Sequence, residues 1–436
     1  MSNSFIDFTK RRDQISDLVL DDSAILMASS STKSRNSDAD FPFRQDSNFF
    51  YLSGFNEPDS VILIRPSSKR AKYIIFCRDR DPLREQWDGF REGLEGAVKN
   101  IGADEAYSIS SLNELMPGFL EETKNIYYSM ASPNGINSHL NHWLEVIRSN
   151  TRQGSEVPQN LFSLDSIIDE LRLIKTEEEI SIMKKAGEIT CKAHIRAIQN
   201  VSPGMYEYQL EGEYLHSFIK EGARFPAYNS IVGGGNNSCI LHYIDNDSKL
   251  NDGDLVLVDA GCEYQHYASD VTRTFPIGKK FSDHQKEIYQ IVLEAHKQAS
   301  AEIRPGNPWN KAQEVSVKVI TEGLIDLGII KTSLDEAIEN NEYSKFYMHR
   351  IGHWLGMDVH DVGNYKKDGK WRDLEAGMVL TIEPGIYILD SLEDVDEKWR
   401  GIGVRIEDDL LVTHSGNEVL TNDAPKEIQD IENLRI

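Results

Sequence analysis

Three histidines, His349, His353 and His360, fall in the run HRIGHWLGMDVHDVG at 349–363, and four carboxylates, Asp259, Asp270, Glu383 and Glu407, flank strand-like segments around it. Side chains of these types can move protons or hold metal ions. His349 and His353 are four residues apart, as two zinc ligands on one helical face would be, but Arg350 stands where the helical zinc-peptidase motif carries its catalytic glutamate. Gly352 and Gly356 would each cost a helix here about 1 kcal/mol. The alternative is a glycine-rich loop whose histidines satisfy backbone groups, and the run by itself leaves both open.

The carboxylates are tied together by an internal match. GDLVLVDAG at 253–261 and GMVLTIEPG at 377–385 both read glycine, strand formers, an acid, one residue, glycine, and Asp259 and Glu383 occupy equivalent positions at a constant offset of 124. Two buried strands ending at glycine turns could resemble each other by chance. Against that, an acid closing an apolar strand is costly to bury unless paired or bound to a cation, and here it occurs twice. Each acid is followed by a second strand-like segment with another: YASDVTRTF brings Asp270 and GVRIEDDLLV brings Glu407. Each half is therefore expected to be a hairpin with one carboxylate per strand, and period-2 alternation puts Arg405 and Glu407 on one face. Four converging carboxylates repel, and two divalent cations would neutralise them. Oxygen-rich ligation favours ions such as manganese over a thiolate-type zinc site. ILHY with His242 precedes the first acid strand much as DVHD with His360 precedes the second, at a looser offset of 118. If these two histidines are counterparts flanking the site, His353 is left as the nitrogen ligand.

Elements must position these groups. Residues 1 to about 150 alternate apolar runs such as SAILMAS, SVILIRP and KYIIFCR with helical stretches, which predicts a mixed sheet with covering helices. The polar run SNTRQGSEVPQN at 149–160 reads as the linker, giving domains at 1–155 and 156–436. The second domain opens with helices, Thr176 and Glu179 forming a capping-box signature, and further helices are predicted over 283–302 and 308–327, with Pro308 in the first turn of the latter. A net charge of −24 from 47 basic and 71 acidic residues argues against nucleic-acid or anionic-membrane partners. No apolar run approaches the roughly 18 residues of a membrane span, and no secretory signal opens the chain. Four scattered cysteines without a CxxC pair fit a reducing compartment, so a cytoplasmic protein is expected.

Taken in order, RNSDADFPFRQDSNFFYLSGFNEPDS, VDAGCEYQHYASDVTRTFP, HRIGHWLGMDVHDVG, MVLTIEPGIYI and GIGVRIEDDLLVT resemble the metallopeptidases of the pita-bread fold, specifically the X-Pro aminopeptidase (aminopeptidase P) family, over essentially the whole chain. The resemblance implies an α/β (α+β) protein: an amino-terminal, creatinase-like mixed-sheet domain, then a pita-bread catalytic domain with an internal pseudo-twofold duplication. It implies Asp259, Asp270, His353, Glu383 and Glu407 as ligands of two divalent ions, most simply manganese, with Asp270 and Glu407 bridging. It assigns His242, His349, His360, Tyr387 and Arg405 to substrate binding and catalysis. Trp87, in REQWDGFR, matches a residue that reaches a neighbouring subunit's active site, which implies a homo-oligomer, a dimer or tetramer. A tryptophan packed by its own domain is the alternative for Trp87, and a structural ion pair is the alternative for Arg405. The aromatic cluster Phe41, Phe43, Phe49, Phe50, Tyr51 and Phe55 is expected in the core of the first domain.

The implied reaction is hydrolysis of the bond between an amino-terminal residue X and a following proline in X-Pro-Y peptides. A hydroxide bridging the two ions would be the nucleophile, Glu383 would take and pass on its proton, and His242 and His360 would donate to the oxyanion. The nearest alternative is a prolidase acting on X-Pro dipeptides. Methionine aminopeptidases lack such a first domain, and non-catalytic pita-bread binding modules have lost metal ligands. Arg350 and Ile351 depart from the smaller or apolar residues usual between the two histidines, which bears on the subsites rather than on the ligands.

Overall fold

In the computed structural model, which describes residues 6–130, 134 and 136–435, the apolar runs become strands. In the amino-terminal unit, Phe5–Leu171, these are β1 (Ser23–Ala28), β2 (Val61–Ile64), β3 (Tyr73–Cys77), β4 (Glu105–Ser108), β5 (Asn125–Tyr128) and β6 (Asn160–Ser163). They form one mixed sheet in the order β4-β3-β2-β1-β5-β6, with β1 antiparallel to β2 and parallel to β5. Strands β1 to β3 are covered on both faces, which is why they read as continuous apolar runs rather than alternating ones. Helix α1 (Pro82–Asp88) carries Trp87. Helix α2 (Ile136–Ser149) buries Ile136, Leu140, Trp143 and Ile147, one stripe at helical spacing, in a core shared with Leu26, Leu63 and Phe76. Of the aromatic cluster, Phe49, Tyr51 and Phe55 are buried as expected, whereas Phe41 lies at the surface.

The compact units divide between Leu171 and Arg172, beyond the boundary read at 155/156. The reason is β6, which pairs in parallel with β5 from Asn125↔Asn160 to Tyr128↔Ser163 and so completes the first sheet. The polar run at 149–160 is thus a loop leading into the last strand of the first unit.

The carboxy-terminal unit, Arg172–Ile436, opens with α3 (Glu177–Asn200), where the Thr176 hydroxyl accepts from the Glu179 N–H and the Glu179 carboxylate accepts from the Thr176 N–H, the capping box read from the sequence. Two bent hairpins carry most of its strands. In the first, β8 (Leu255–Asp259) pairs antiparallel with β11 (Thr272–Pro276), and beyond a break β9 (Cys262–Tyr264) pairs with β10 (Tyr267–Ala268); β7 (Ile231–Gly234) flanks β8. Helices α4 (Asp283–Ala301) and α5 (Asn310–Asp326) follow. Pro308 lies outside α5 because Trp309 donates its N–H to the Arg372 carbonyl and Pro308 bridges to Asp373, so the first helical turn begins two residues later than read. In the second hairpin, β12 (Val379–Ile382) pairs with β15 (Asp408–Val412), and beyond a break β13 (Gly385–Ile388) pairs with β14 (Ile402–Arg405). Valines and isoleucines of both hairpins, among them Val256, Val258, Ile386 and Val404, share one core with Ile288 and Val292 of α4.

Candidate metal centre and substrate cavity

All four carboxylates lie at the breaks of the two hairpins. Asp259 ends β8 and Asp270 lies just before β11; Glu383 falls between β12 and β13, and Glu407 between β14 and β15. The hairpins expected from the duplication therefore exist, with the acids placed where ladder pairing stops and the chain bends. The breaks are stitched to each other: the Glu407 N–H donates to the Thr272 carbonyl at 3.1 Å, and the Arg405 N–H donates to the Thr274 hydroxyl at 3.2 Å. This brings residues far apart in sequence into one cluster. The histidine run crosses in front of it as an irregular loop pinned to β12, since the Thr381 N–H donates to the His353 carbonyl and the Glu383 N–H to the Ile351 carbonyl. Gly352 permits that approach, because a Cβ there would fall on the Thr381 carbonyl oxygen.

Asp270, His353 and Glu407 each bring one ligand atom to within 4.8 Å of the others. Atoms bound about 2.1 Å from one ion lie roughly 3–4 Å apart, a range that the His353 and Asp270 pair meets. His353 Nε2 is 3.3 Å from Asp270 and 3.8 Å from Glu383. Its Nδ1 lies 3.0 Å from the Trp354 carbonyl and must donate to it, which leaves the Nε2 lone pair of the neutral ring aimed at the carboxylates. Asp259 sits on the other side, 2.7 Å from the Arg405 guanidinium, and the Tyr228 hydroxyl lies 2.5 Å from both Asp259 and Asp270. The Thr272 hydroxyl donates to Glu407 at 2.6 Å and accepts from Arg405 Nε at 3.0 Å.

His349 differs from His353 in what its second nitrogen does. Its Nδ1 donates to the Arg350 carbonyl at 2.8 Å, so Nε2 accepts from the Tyr387 hydroxyl at 2.8 Å, and Arg405 in turn donates to the Tyr387 oxygen at 2.9 Å. With both ring nitrogens committed, His349 has no lone pair to offer a cation. Burial, helped by Arg405, pushes it down to about 4, so it is neutral at pH 7. His360 is exposed and stacks edge-on against His353 at 4.2 Å between ring centres.

Electrostatics shows what the cluster needs. Burial, then repulsion from Asp270 and other acids, raises Asp259 and lifts Glu407 well above its ordinary value. Burial pushes Glu383 up to about 7 against the pull of His353 and Arg405. Burial also opposes charge on Asp270 and His353, but their mutual bond wins, drawing Asp270 down and His353 up to about 9. Four acids, Asp270 and Glu407 buried and Asp259 and Glu383 partly so, facing one guanidinium and one imidazole are short of positive charge. The donor set, carboxylate oxygens plus one oriented imidazole, fits divalent cations.

A cavity of about 710 Å³ opens onto the cluster, with the four acids, His353 and Arg405 in its polar wall and Ile231, Leu241, Ile244 and Val359 in its apolar one. His242, His349, Arg350 and His360 line it too. Tyr387 does not; it is buried behind His349, which it holds in place. Trp87 belongs to the amino-terminal unit and is 87% exposed. Tyr228, Thr272 and Asp409, whose carboxylate accepts from the Asp270 N–H at 3.2 Å, are site residues that the motifs do not single out. Thr272 was within reach, standing two residues from Asp270 on one strand face, whereas Tyr228 comes from the loop before β7 and carries no pattern.

Residues 181–414 match the metallopeptidase family M24, and residues 8–127 match the aminopeptidase P, N-terminal domain. The chain belongs to metallopeptidase family M24. It is 47% identical over 428 residues to the Xaa-Pro aminopeptidase of Haemophilus influenzae, covering 98% of this chain and 96% of that protein. It is 43% identical over 431 residues to the Xaa-Pro aminopeptidase of Escherichia coli, covering 99% and 97%. Among solved structures it superposes on the aminopeptidase PepP of Pseudomonas aeruginosa with a TM-score of 0.97 at 47% identity, over 98% of this chain and 97% of that one. It superposes on zinc-substituted Escherichia coli aminopeptidase P in complex with product with a TM-score of 0.95 at 42% identity, over 98% and 97%. The mixed-sheet domain followed by a pita-bread domain, expected from the sequence, is the architecture of these proteins.

Proposed function

We infer that the protein is an Xaa-Pro aminopeptidase, a metallopeptidase that removes an amino-terminal residue preceding proline. The observation that carries this is the metal-competent acid cluster at the polar wall of an open cavity, in a chain matched along nearly its full length by Xaa-Pro aminopeptidases. Asp259, Asp270, His353, Glu383 and Glu407 would hold two divalent ions, with Asp270 and Glu407 serving both, and the oxygen-rich set favours manganese. Bound cations supply an activated water and polarise the scissile carbonyl. Glu383 takes a proton and passes it on toward the leaving nitrogen. His242 and His360, on the cavity wall, donate to the developing oxyanion. Tyr387 and Arg405 are positioning residues: Arg405 orients Asp259 and, through Tyr387, fixes the His349 ring. Proline, a tertiary amide without an N–H, is recognised by shape against His349 and the apolar wall. The test is product analysis of an X-Pro-Y peptide: free X should appear, chelator should stop it and manganese restore it, and release of an intact X-Pro dipeptide would overturn the assignment.

The ligand roles also fix a pH dependence. The folded value of His353, about 9, lies above the ordinary imidazole value of about 6.5. In metal-free protein its pairing with Asp270 therefore stabilises fully below about pH 6.5 and is lost as pH rises through 9. Metal must displace that proton and the one on Glu383. The rise in Tm on adding manganese should accordingly be larger near pH 8.5 than near pH 6, and an equal rise at both would remove His353 from the ligand set.

The protein is also read as cytoplasmic and homo-oligomeric. The four cysteines are all free and buried, as a reducing compartment allows. No helix among the described residues is long and apolar enough to cross a membrane. Leu83, Trp87 and Phe90 are exposed by 75, 87 and 67%, an apolar surface suited to covering by a second copy. Trp87→Glu should lower the mass seen by sedimentation; an unchanged mass would detach this surface from assembly.

A further inference from the structure

We propose that the groove between α4 and α5 binds a basic amphipathic helix of a partner protein, independently of the catalytic cavity. The groove holds about 600 Å³. Its floor is aliphatic, formed by Ile291 of α4, Val319 of α5, Leu327 just past the end of α5 and Ile428 near the carboxy terminus. The helices meet beneath the floor at Gly323, where a Cβ would come 2.6 Å from Ile291 Cγ1.

Spacing along the walls matches a third helix laid in the groove. The α4 residues Glu287, Ile291, Glu294 and Gln298 repeat at one face of a helix, and on α5 Val319, Gly323 and Asp326 do the same. At 1.5 Å per residue the α4 wall runs about 16 Å, the length of roughly three helical turns. An occupant would place aliphatic anchors at i, i+3, i+4 and i+7 on the floor.

Charge selects the flanks of that helix. Glu287 and Glu294 edge one wall, Glu322 and Asp326 the other. Lys286 is the only basic residue among the described residues that line the groove, and Glu432 already engages it at 3.2 Å. Lys318 reaches Glu322 only at 3.8 Å between exposed side chains, a contact of little strength. Lysines or arginines on both sides of an aliphatic stripe would meet acids on both walls, the pairing that e and g positions make in coiled coils.

The probe is an acetylated, fluorescent helix of about 15 residues with leucines at that spacing and lysines on both flanks, titrated into the full-length protein by anisotropy. Acetylation removes the free amine an aminopeptidase requires. Saturable binding is expected, weakened at least tenfold by Ile291→Lys and by the double change Glu294→Lys and Glu322→Lys, with hydrolysis of X-Pro-Y unchanged in both variants. If Ile291→Lys does not fold, the exposed double variant decides the matter alone. Equal binding of a scrambled peptide, equal binding of a peptide with glutamates in place of lysines, or wild-type affinity in the double variant would overturn the proposal. Altered self-association of that variant by sedimentation would overturn it too, assigning the groove to a second copy.

Discussion

Glu383→Gln should lower kcat by roughly 10²–10⁴-fold, the loss expected when a general base is removed, with the fold intact and assays at saturating manganese. The carboxyl lies at the bend between β12 and β13, its backbone tied to the Ile351 carbonyl, so it cannot drift from the cluster. Burial pushes it up to about 7, and cations placed among its neighbours would draw it back toward the ionised form a base needs. Asp270→Asn should be as damaging through a different route, by removing charge at the centre of the Asp270, His353 and Glu407 cluster. Because these groups act as a unit, the double variant should lose little more than either single one. A near-native rate in either single variant would contradict the mechanism.

The second large effect separates the histidines. His353→Ala should lower metal occupancy, because the lone pair of Nε2 points into the cluster while Nδ1 is spent on the Trp354 carbonyl. His360→Ala should keep its metal and lose roughly 10²-fold in kcat, the typical cost of one oxyanion donor. Metal analysis of the purified variants alongside their rates checks both outcomes. Equal metal loss in the two would contradict this division of roles.

How far the site could be read from the sequence depends on which residues are considered. The acid-then-glycine repeat revealed Asp259 and Glu383 because burying an acid at a strand end leaves a pattern that ordinary strands lack. The same logic located Asp270 and Glu407 on the returning segments. What it could not show is the break in each hairpin, since a bend where pairing stops depends on packing between halves 131 to 139 residues apart, as in the bonds from Arg405 to Thr274 and from Asp270 to Asp409. The histidines illustrate the same limit. His349 and His353 look alike in sequence, and only the three-dimensional position of Tyr387 distinguishes a ring with a free lone pair from one without. The domain boundary was displaced for a related reason: β6 is polar at its start, and only pairing with β5 makes it a strand of the first sheet.

The assignment to an X-Pro aminopeptidase rather than a prolidase turns on what lies beyond the proline. A strict dipeptidase gains by capturing the free proline carboxylate with a cation. Arg405 is not available for that, being committed to Asp259, Tyr387 and Thr272. Arg350 is exposed on the cavity wall, where it could hold a peptide carbonyl or a terminal carboxylate. The most direct measurement is kcat/KM in manganese for three matched substrates, X-Pro-Y, X-Pro and X-Ala-Y. X-Pro-Y should be cleaved well, X-Pro poorly and X-Ala-Y scarcely at all. A clear preference for the X-Pro dipeptide, or equal cleavage of X-Ala-Y, would contradict the account.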